Sequence, residues 1–235
     1  NYKILWPFII FSVPAAVSIH TVTAFLYSAF PARAFWNASI LAPRFIASAF
    51  CSGPSFIIIA FQIIRSTTKI KIKDEAIFKL GEIIAYAMGI NLFLLISEVF
   101  KEYYSHTVHL APMEYLFQGL HGHDGLVPLI WTAIALNVTA FIIMIVPKLR
   151  KNFKFLNLAC VMMFIGVWIE KGPGLIIPGF TPTPLGEVWE YAPTTAEVLI
   201  SMGIWAIGLI IFTLLLKVAI PIETGEFRKP GLDKK

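Results

Sequence analysis

Stretches of about 20 apolar residues, parted by short polar linkers, recur six times along the chain. The first is the cleanest, with no Asp, Glu, Lys or Arg from Ile4 to Ala32. A helix rising about 1.5 Å per residue needs about 20 such residues to cross the hydrocarbon of a bilayer. The pattern therefore predicts spans at about 4–27, 45–64, 77–100, 125–147, 152–171 and 195–217. The fifth has the shortest uncharged core, Phe155 to Ile169, and needs Lys154 and Glu170 to reach the headgroups by snorkelling. This pattern specifies an all-α polytopic bundle over about residues 1–220, followed by a polar tail at about 221–235.

Composition removes the main competitor. Hydrophobic residues make up 57% of the chain, charged residues only 14%, and the mean hydropathy is +0.77. A soluble domain carries about 25% charged residues. The net charge of +5 does not indicate nucleic acid, because the basic residues sit in linkers between spans and not on an aromatic-interleaved patch. It fixes a predicted orientation instead. Of 19 Lys and Arg residues, 15 fall on one side: Lys3, the 65–79 and 148–154 linkers, and the tail. Arg33, Arg44, Lys101 and Lys171 fall on the other. Basic residues are retained in the cytoplasm during insertion, so both ends of this chain are expected there. The longer loops, Ser105–Asp124 and Gly172–Pro193, then lie outside. Cys51 and Cys160 both lie in apolar runs and read as packed thiols, not as a disulfide framework. The opening Asn1-Tyr2-Lys3, with no signal-peptide pattern behind it, reads as a processed or partial chain.

Polar residues inside spans are the functional candidates, since burying them in hydrocarbon is costly without a partner. His20 is the one histidine within a predicted span, and Thr23 and Tyr27 share its helix face. It is read either as part of a site or as a hydrogen bond between helices. Arg44, Ser48, Cys51, Ser52 and Ser55 form one face of the second span. The small residues there suit a packing seam, while Arg44 is always charged and needs a lipid phosphate, a carboxylate or a ligand carbonyl. In the third span Asn91, Glu98 and Glu102 share a face. Glu98 has two readings: a pair with Arg44 or Lys101, or a carboxyl that exchanges protons with a ligand. Glu82 and Asn91 mark a possible proton path toward the inner side. Pro14 and Pro54 interrupt the first two spans and each frees a carbonyl.

Several cofactors are argued against. Haem held by two histidines needs two buried imidazoles, and only His20 qualifies, so no haem is expected. His106, His109, His121 and His123 lie in an outer loop. Without cysteines or a second spaced cluster, they read as surface histidines, and no metal is expected.

The segments SIHTVTAFLY (18–27) and APRFIASAFCSGP (42–54), with FWN between them, resemble the NrfD/PsrC family of quinone-interacting membrane subunits. INLFLLISEVFKEYY, YLFQGLHG and WIEKGPGLIIPGF are most like the membrane subunits of the Dsr respiratory complexes of sulfur-metabolising prokaryotes. The resemblance implies a subunit without haem or iron–sulfur cluster that binds menaquinone near the outer face. It would exchange electrons with an iron–sulfur subunit docked there. A multihaem cytochrome c, a membrane haem b subunit and a cytoplasmic iron–sulfur subunit would complete the assembly. His20 falls in the family's IH motif and Arg44 in its APRF motif. Tyr27, Thr23 and Glu98 join them as head-group and proton-handling candidates. The family usually has eight to ten spans, so N-terminal helices are expected to be absent from this chain. A secondary transporter and a purely structural anchor are the alternatives. The transporter reading lacks repeat symmetry in the sequence.

Overall fold

The computed structural model describes residues 2–225, and the side chains from residue 5. Residues 226–235, most of the predicted tail, lie outside the described part. The described residues are helical nearly throughout and contain six helices long and apolar enough to cross a membrane. They are α1 (Tyr2–Ser28), α2 (Leu41–Thr67), α3 (Asp74–Ser105), α5 (Val127–Ile145), α7 (Phe153–Lys171) continued by α8 (Pro173–Phe180), and α9 (Thr195–Glu223). Two short helices, α4 (Leu110–Phe117) and α6 (Pro147–Arg150), fill connections.

Helix boundaries follow local chemistry. Val146 is extended (φ −82°, ψ 112°) because the residue before Pro147 is pushed out of the helical region, and this ends α5. Asn152 caps α7 by accepting from the Lys154 N–H at 3.0 Å. Gly172 (φ −89°, ψ −101°) and Pro173 break the next span, and α8 restarts with proline in its first turn, where no N–H is required. Gly172 suits this corner, since a Cβ there would lie 2.8 Å from the Trp168 carbonyl oxygen. Thr194 opens α9 with a reciprocal capping box to Glu197. Helices also run beyond the apolar windows. α3 continues through Lys101 and Glu102 because Glu102 finds partners in Lys101 and Thr107. Both long connections expected as loops contain a helix, α4 in one and α8 in the other.

The chain divides into two compact units. The larger comprises residues 1–59 and 75–190. Its core runs along facing stripes of α2, α3, α5 and α7. On α3, Ile77, Gly81, Ile84, Met88, Asn91, Leu95, Glu98 and Glu102 are buried at spacings of three and four, the seam of a helix bundle. α5 and α7 cross closely at Gly166, where a Cβ would come within 2.3 Å of Asn137 Oδ1 and 3.0 Å of the Ala133 carbonyl oxygen. At one end, hereafter the α4 end, α4 and α8 close the bundle over Phe35, Trp36, Leu116, Leu126 and Leu175. Trp36 donates its indole N–H to the Leu175 carbonyl at 2.8 Å and lies directly on Gly179. α1 buries only Ala24, and its C-terminal Tyr27 packs edge-on to Trp36 at 5.0 Å.

The smaller unit holds residues 60–74 and 191–235. Arg65 and Asp74 form an ion pair within it. α9 has no buried residue, and its surface of Leu, Ile, Val and Phe side chains is suited to hydrocarbon.

The Gly166 crossing generates a prediction. Gly166→Ala forces α5 and α7 apart and lowers stability by about 1–3 kcal/mol, the range for overpacking. Thermal unfolding of the detergent-purified protein measures it, and an unchanged transition contradicts the close crossing.

Candidate functional site

The site is built where four helices approach the α4 end. α2 starts at Leu41, and Pro43 in its first turn requires no N–H partner, so Arg44 enters the bundle from the first turn. Its guanidinium is buried and bridges two carboxylates, Glu98 of α3 through Nη1 and Glu170 of α7 through Nη2, the latter at 2.7 Å. Glu170 is the hub. Its Oε1 also pairs with the Lys171 ammonium at 3.0 Å. Its Oε2 accepts from Asn137 Nδ2 of α5 at 3.1 Å and from Asn91 Nδ2 of α3 at 3.3 Å. Lys171 also lies 5.8 Å from the centre of the Phe45 ring, within cation–π range.

The formal charges of Arg44, Lys171, Glu98 and Glu170 cancel. Cancellation is what the surroundings demand, because an unpaired ion in such a place costs several kcal/mol. Hydrogen bonding is nevertheless incomplete. Arg44 Nε, Asn91 Oδ1 and Asn137 Oδ1 are buried without a partner. A small enclosed pocket borders Arg44, Glu170 and Lys171, walled by Phe35, Leu95, Leu116, Phe117 and Leu175. Its volume of about 10 Å³ is at the lower limit for one water molecule. Above the network, Glu102 continues the polar stripe toward the α4 end, paired with Lys101 at 2.9 Å and with the Thr107 hydroxyl.

Of the residues selected from sequence, the structure brings Arg44, Glu98 and Asn91 into one network. Glu98 takes Arg44 as its partner, one of its two readings. His20 and Thr23 stay on α1, half-buried, and the Thr23 hydroxyl donates to the Ile19 carbonyl of its own helix. Tyr27 packs on Trp36 and, at 6.2 Å, on Phe45, so a single ring separates it from Lys171. Among the described residues, no hydrogen bond or ion pair joins these α1 side chains to the network. Glu82 lies toward the opposite end, where it meets Lys79 and Arg150 at 3.4 Å and Tyr86 at 3.2 Å. Nine residues of α3, about 13 Å, separate it from Asn91. The buried positions in that interval are Ile84, Ala85, Ala87 and Met88, all apolar.

Sequence reading missed Asn137 and Lys171 and set Glu170 at the headgroups. Glu170 is instead 4% exposed, because the span does not end at Lys171 but turns and continues to Phe180. The signal was the Gly172-Pro173-Gly174 run, which breaks a helix without ending its passage. Asn137 was visible as an amide amid an otherwise apolar run.

The histidine-bearing loop is a tight turn. Leu120 and His123 exchange backbone hydrogen bonds at 3.0 Å, and Gly119, His121 and Gly122 adopt positive φ. Glu190 accepts from the Gly125 N–H at 2.9 Å, and the Tyr115 hydroxyl meets the Trp189 carbonyl at 3.4 Å, tying the 182–190 segment to this turn. Burial, and secondarily the charge of Glu190, push the Tyr115 phenol above its ordinary pKa.

Comparison with known proteins decides the family. The family described as "Polysulphide reductase, NrfD" matches residues 1–181, which include every member of the network. The chain belongs to the NrfD family. It is 23% identical over 220 residues to a Halobacterium salinarum protein named as a "Putative dimethyl sulfoxide reductase membrane subunit", covering 85% of this chain and 50% of that protein. It is 22% identical over 213 residues to a selenate reductase subunit of Mesobacillus selenatarsenatis, covering 86% and 48%. This NrfD-family chain thus spans about half the length of the curated relatives it matches. Both are named as subunits of reductases, and the multi-pass character of the chain agrees with the one named as a membrane subunit.

Removing the hub should separate electrostatics from packing. Glu170→Ala leaves two cations and two amides without their shared acceptor and should cost about 3–5 kcal/mol. Asn91→Ala should cost about 1–3 kcal/mol. Paired thermal unfolding midpoints test the ranking, and equal losses would contradict a hub at Glu170.

Proposed function

We propose that this chain is the quinone-reactive membrane subunit of a multi-subunit respiratory reductase, of the DsrP type. In this reading it sits in the cell's cytoplasmic membrane with both ends of the chain inside, and it handles menaquinol near the outer face. Electrons pass to or from a DsrO-like iron–sulfur subunit on that face. DsrJ-like cytochrome c and DsrM/DsrK-like subunits complete the assembly. The observation that carries the reading is the buried Arg44–Glu98–Glu170–Lys171 network at the α4 end of an NrfD-family bundle. The charge count assigns that end to the outside.

The network fits a proton-handling role better than direct contact with a ring. Its enclosed pocket admits about one water and no aromatic head group. A quinol, when bound, supplies two electrons and two protons. The chain's own residues supply placement and proton exchange. Arg44 holds Glu98 and Glu170 in fixed positions, and the unpartnered Arg44 Nε–H is free to anchor a water in the pocket. Glu102 and Thr107 continue the polar stripe toward the end that faces a partner. His20 and Tyr27 remain candidates for head-group contact from α1. The apolar interval between Asn91 and Glu82 favours exchange with the α4 side over passage to the opposite side.

Glu98→Gln keeps an acceptor for Arg44 but removes the exchangeable carboxylate. In the purified complex, quinol oxidation should fall at least about 10-fold, within the range of general acid–base effects, while the subunits still co-purify. His20→Ala tests the α1 face in the same assay. Full turnover in both variants, with no quinone extractable from the wild-type complex, overturns the reading. Turnover lost with assembly intact excludes a purely structural anchor.

A further inference from the structure

A second, much larger cavity lies between α3 and α5 just below the α4 end, with a volume of about 520 Å³. This is within the size range of small-molecule sites, about 300–1,000 Å³. Its wall is almost wholly apolar, with Ile96, Val99, Ile134 and Val138 among its members. Two features distinguish it from an ordinary lipid-facing furrow. The Tyr103 side chain lines it, and the Tyr103 hydroxyl is buried without a hydrogen-bond partner. A phenol is rarely left so, because an unmade hydrogen bond in an apolar setting costs about 1–3 kcal/mol. The other feature is continuity. Leu95 and Phe117 line both this cleft and the small pocket beside Arg44, Glu170 and Lys171. The charged network therefore lies one layer of side chains behind the cleft.

The geometry points to the α3–α5 cleft as the seat of a prenylated quinone, with its ring beside Tyr103, Leu95 and Phe117 and its isoprenoid chain along the α3 and α5 surfaces into the lipid. This deepens the quinone reading above and rests on it. An apolar wall fits the chain, and the free phenol hydroxyl donates to a quinone carbonyl or accepts from a quinol. The enclosed pocket is too small for the ring, and the cleft is large enough. A phospholipid acyl chain would fill the apolar wall equally well but has no need of the link to the charged pocket. Leu95 and Phe117 become a partition between ring and ion network, and proton exchange between the two sides requires one of them to shift.

The test uses the intact purified complex and a menaquinol. Val99→Trp fills the cleft, Tyr103→Phe removes only the hydroxyl, and Phe93→Trp places the same bulk on a lipid-exposed α3 position outside the cleft. Val99→Trp should lower extractable quinone and raise KM for quinol, each by at least about 10-fold. Tyr103→Phe should raise KM several-fold with kcat little changed, and Phe93→Trp should behave as wild type. A Val99→Trp complex with wild-type quinone content and KM overturns the assignment, and so identifies the cleft as a lipid furrow. If Val99→Trp fails to assemble, Tyr103→Phe decides, and an unchanged KM overturns it. A wild-type complex with neither quinone nor quinol turnover removes the underlying reading instead, and this assignment with it.

Discussion

One guanidinium, placed among helices that otherwise offer only hydrocarbon, sets the terms for the α4 end of this bundle. Arg44 cannot shed its charge, so the bundle must supply anions, and it does so from two other helices, Glu98 on α3 and Glu170 on α7. Each carboxylate then needs its remaining lone pairs satisfied. Glu170 recruits Lys171, Asn91 and Asn137, which draws α5 into the same cluster. Four helices are thereby registered against one another by polar contacts, in a medium where apolar packing alone discriminates poorly between registers. Gly166 belongs to this logic, because only a residue without Cβ lets Asn137 reach Glu170 across the α5–α7 crossing.

The break at Gly172–Pro173 serves the same end. A continuous helix through 153–180 would direct its last two turns straight on along the α7 axis. Turning there lets α8 lie under Trp36, which holds it by the bond to the Leu175 carbonyl and by contact with Gly179. The lid formed by α4 and α8 keeps the pocket beside Arg44 small, and a small pocket keeps the ion network dry. The larger α3–α5 cleft lies across the Leu95–Phe117 wall, so bulk ligand and charge are kept in adjacent but separate compartments.

Much of this was legible in the sequence. Six apolar runs gave six spans, because hydrocarbon thickness imposes a length that few soluble segments mimic. Arg44, Asn91 and Glu98 stood out as polar residues on helix faces, and the pairing of Arg44 with Glu98 was one of the two readings open to that carboxyl. Glu170 was misplaced for a specific reason. A charge beside a Gly-Pro pair looks like the end of a span when hydropathy is counted along one straight helix, and only the three-dimensional turn shows that the passage continues. His20 was prominent as a lone buried imidazole, yet α1 has few neighbours in the described chain, and this half-length chain cannot show what faces it. Tyr103 carried no sequence signal, since an aromatic near a span's end is ordinary at a membrane interface.

The exact balance of two cations and two anions has a consequence for energetics across the bilayer. A neutral cluster feels no net force from the membrane potential. Once a proton enters it the cluster bears one positive charge, and its occupancy acquires a voltage dependence of up to about 2.3 kcal/mol per 100 mV, scaled by the fraction of the field crossed. The nearer Arg44 lies to one surface, the smaller that fraction becomes for a proton arriving from that side. Depth in the bilayer thus decides whether loading this cluster is felt by the cell as local chemistry or as work against the electric field.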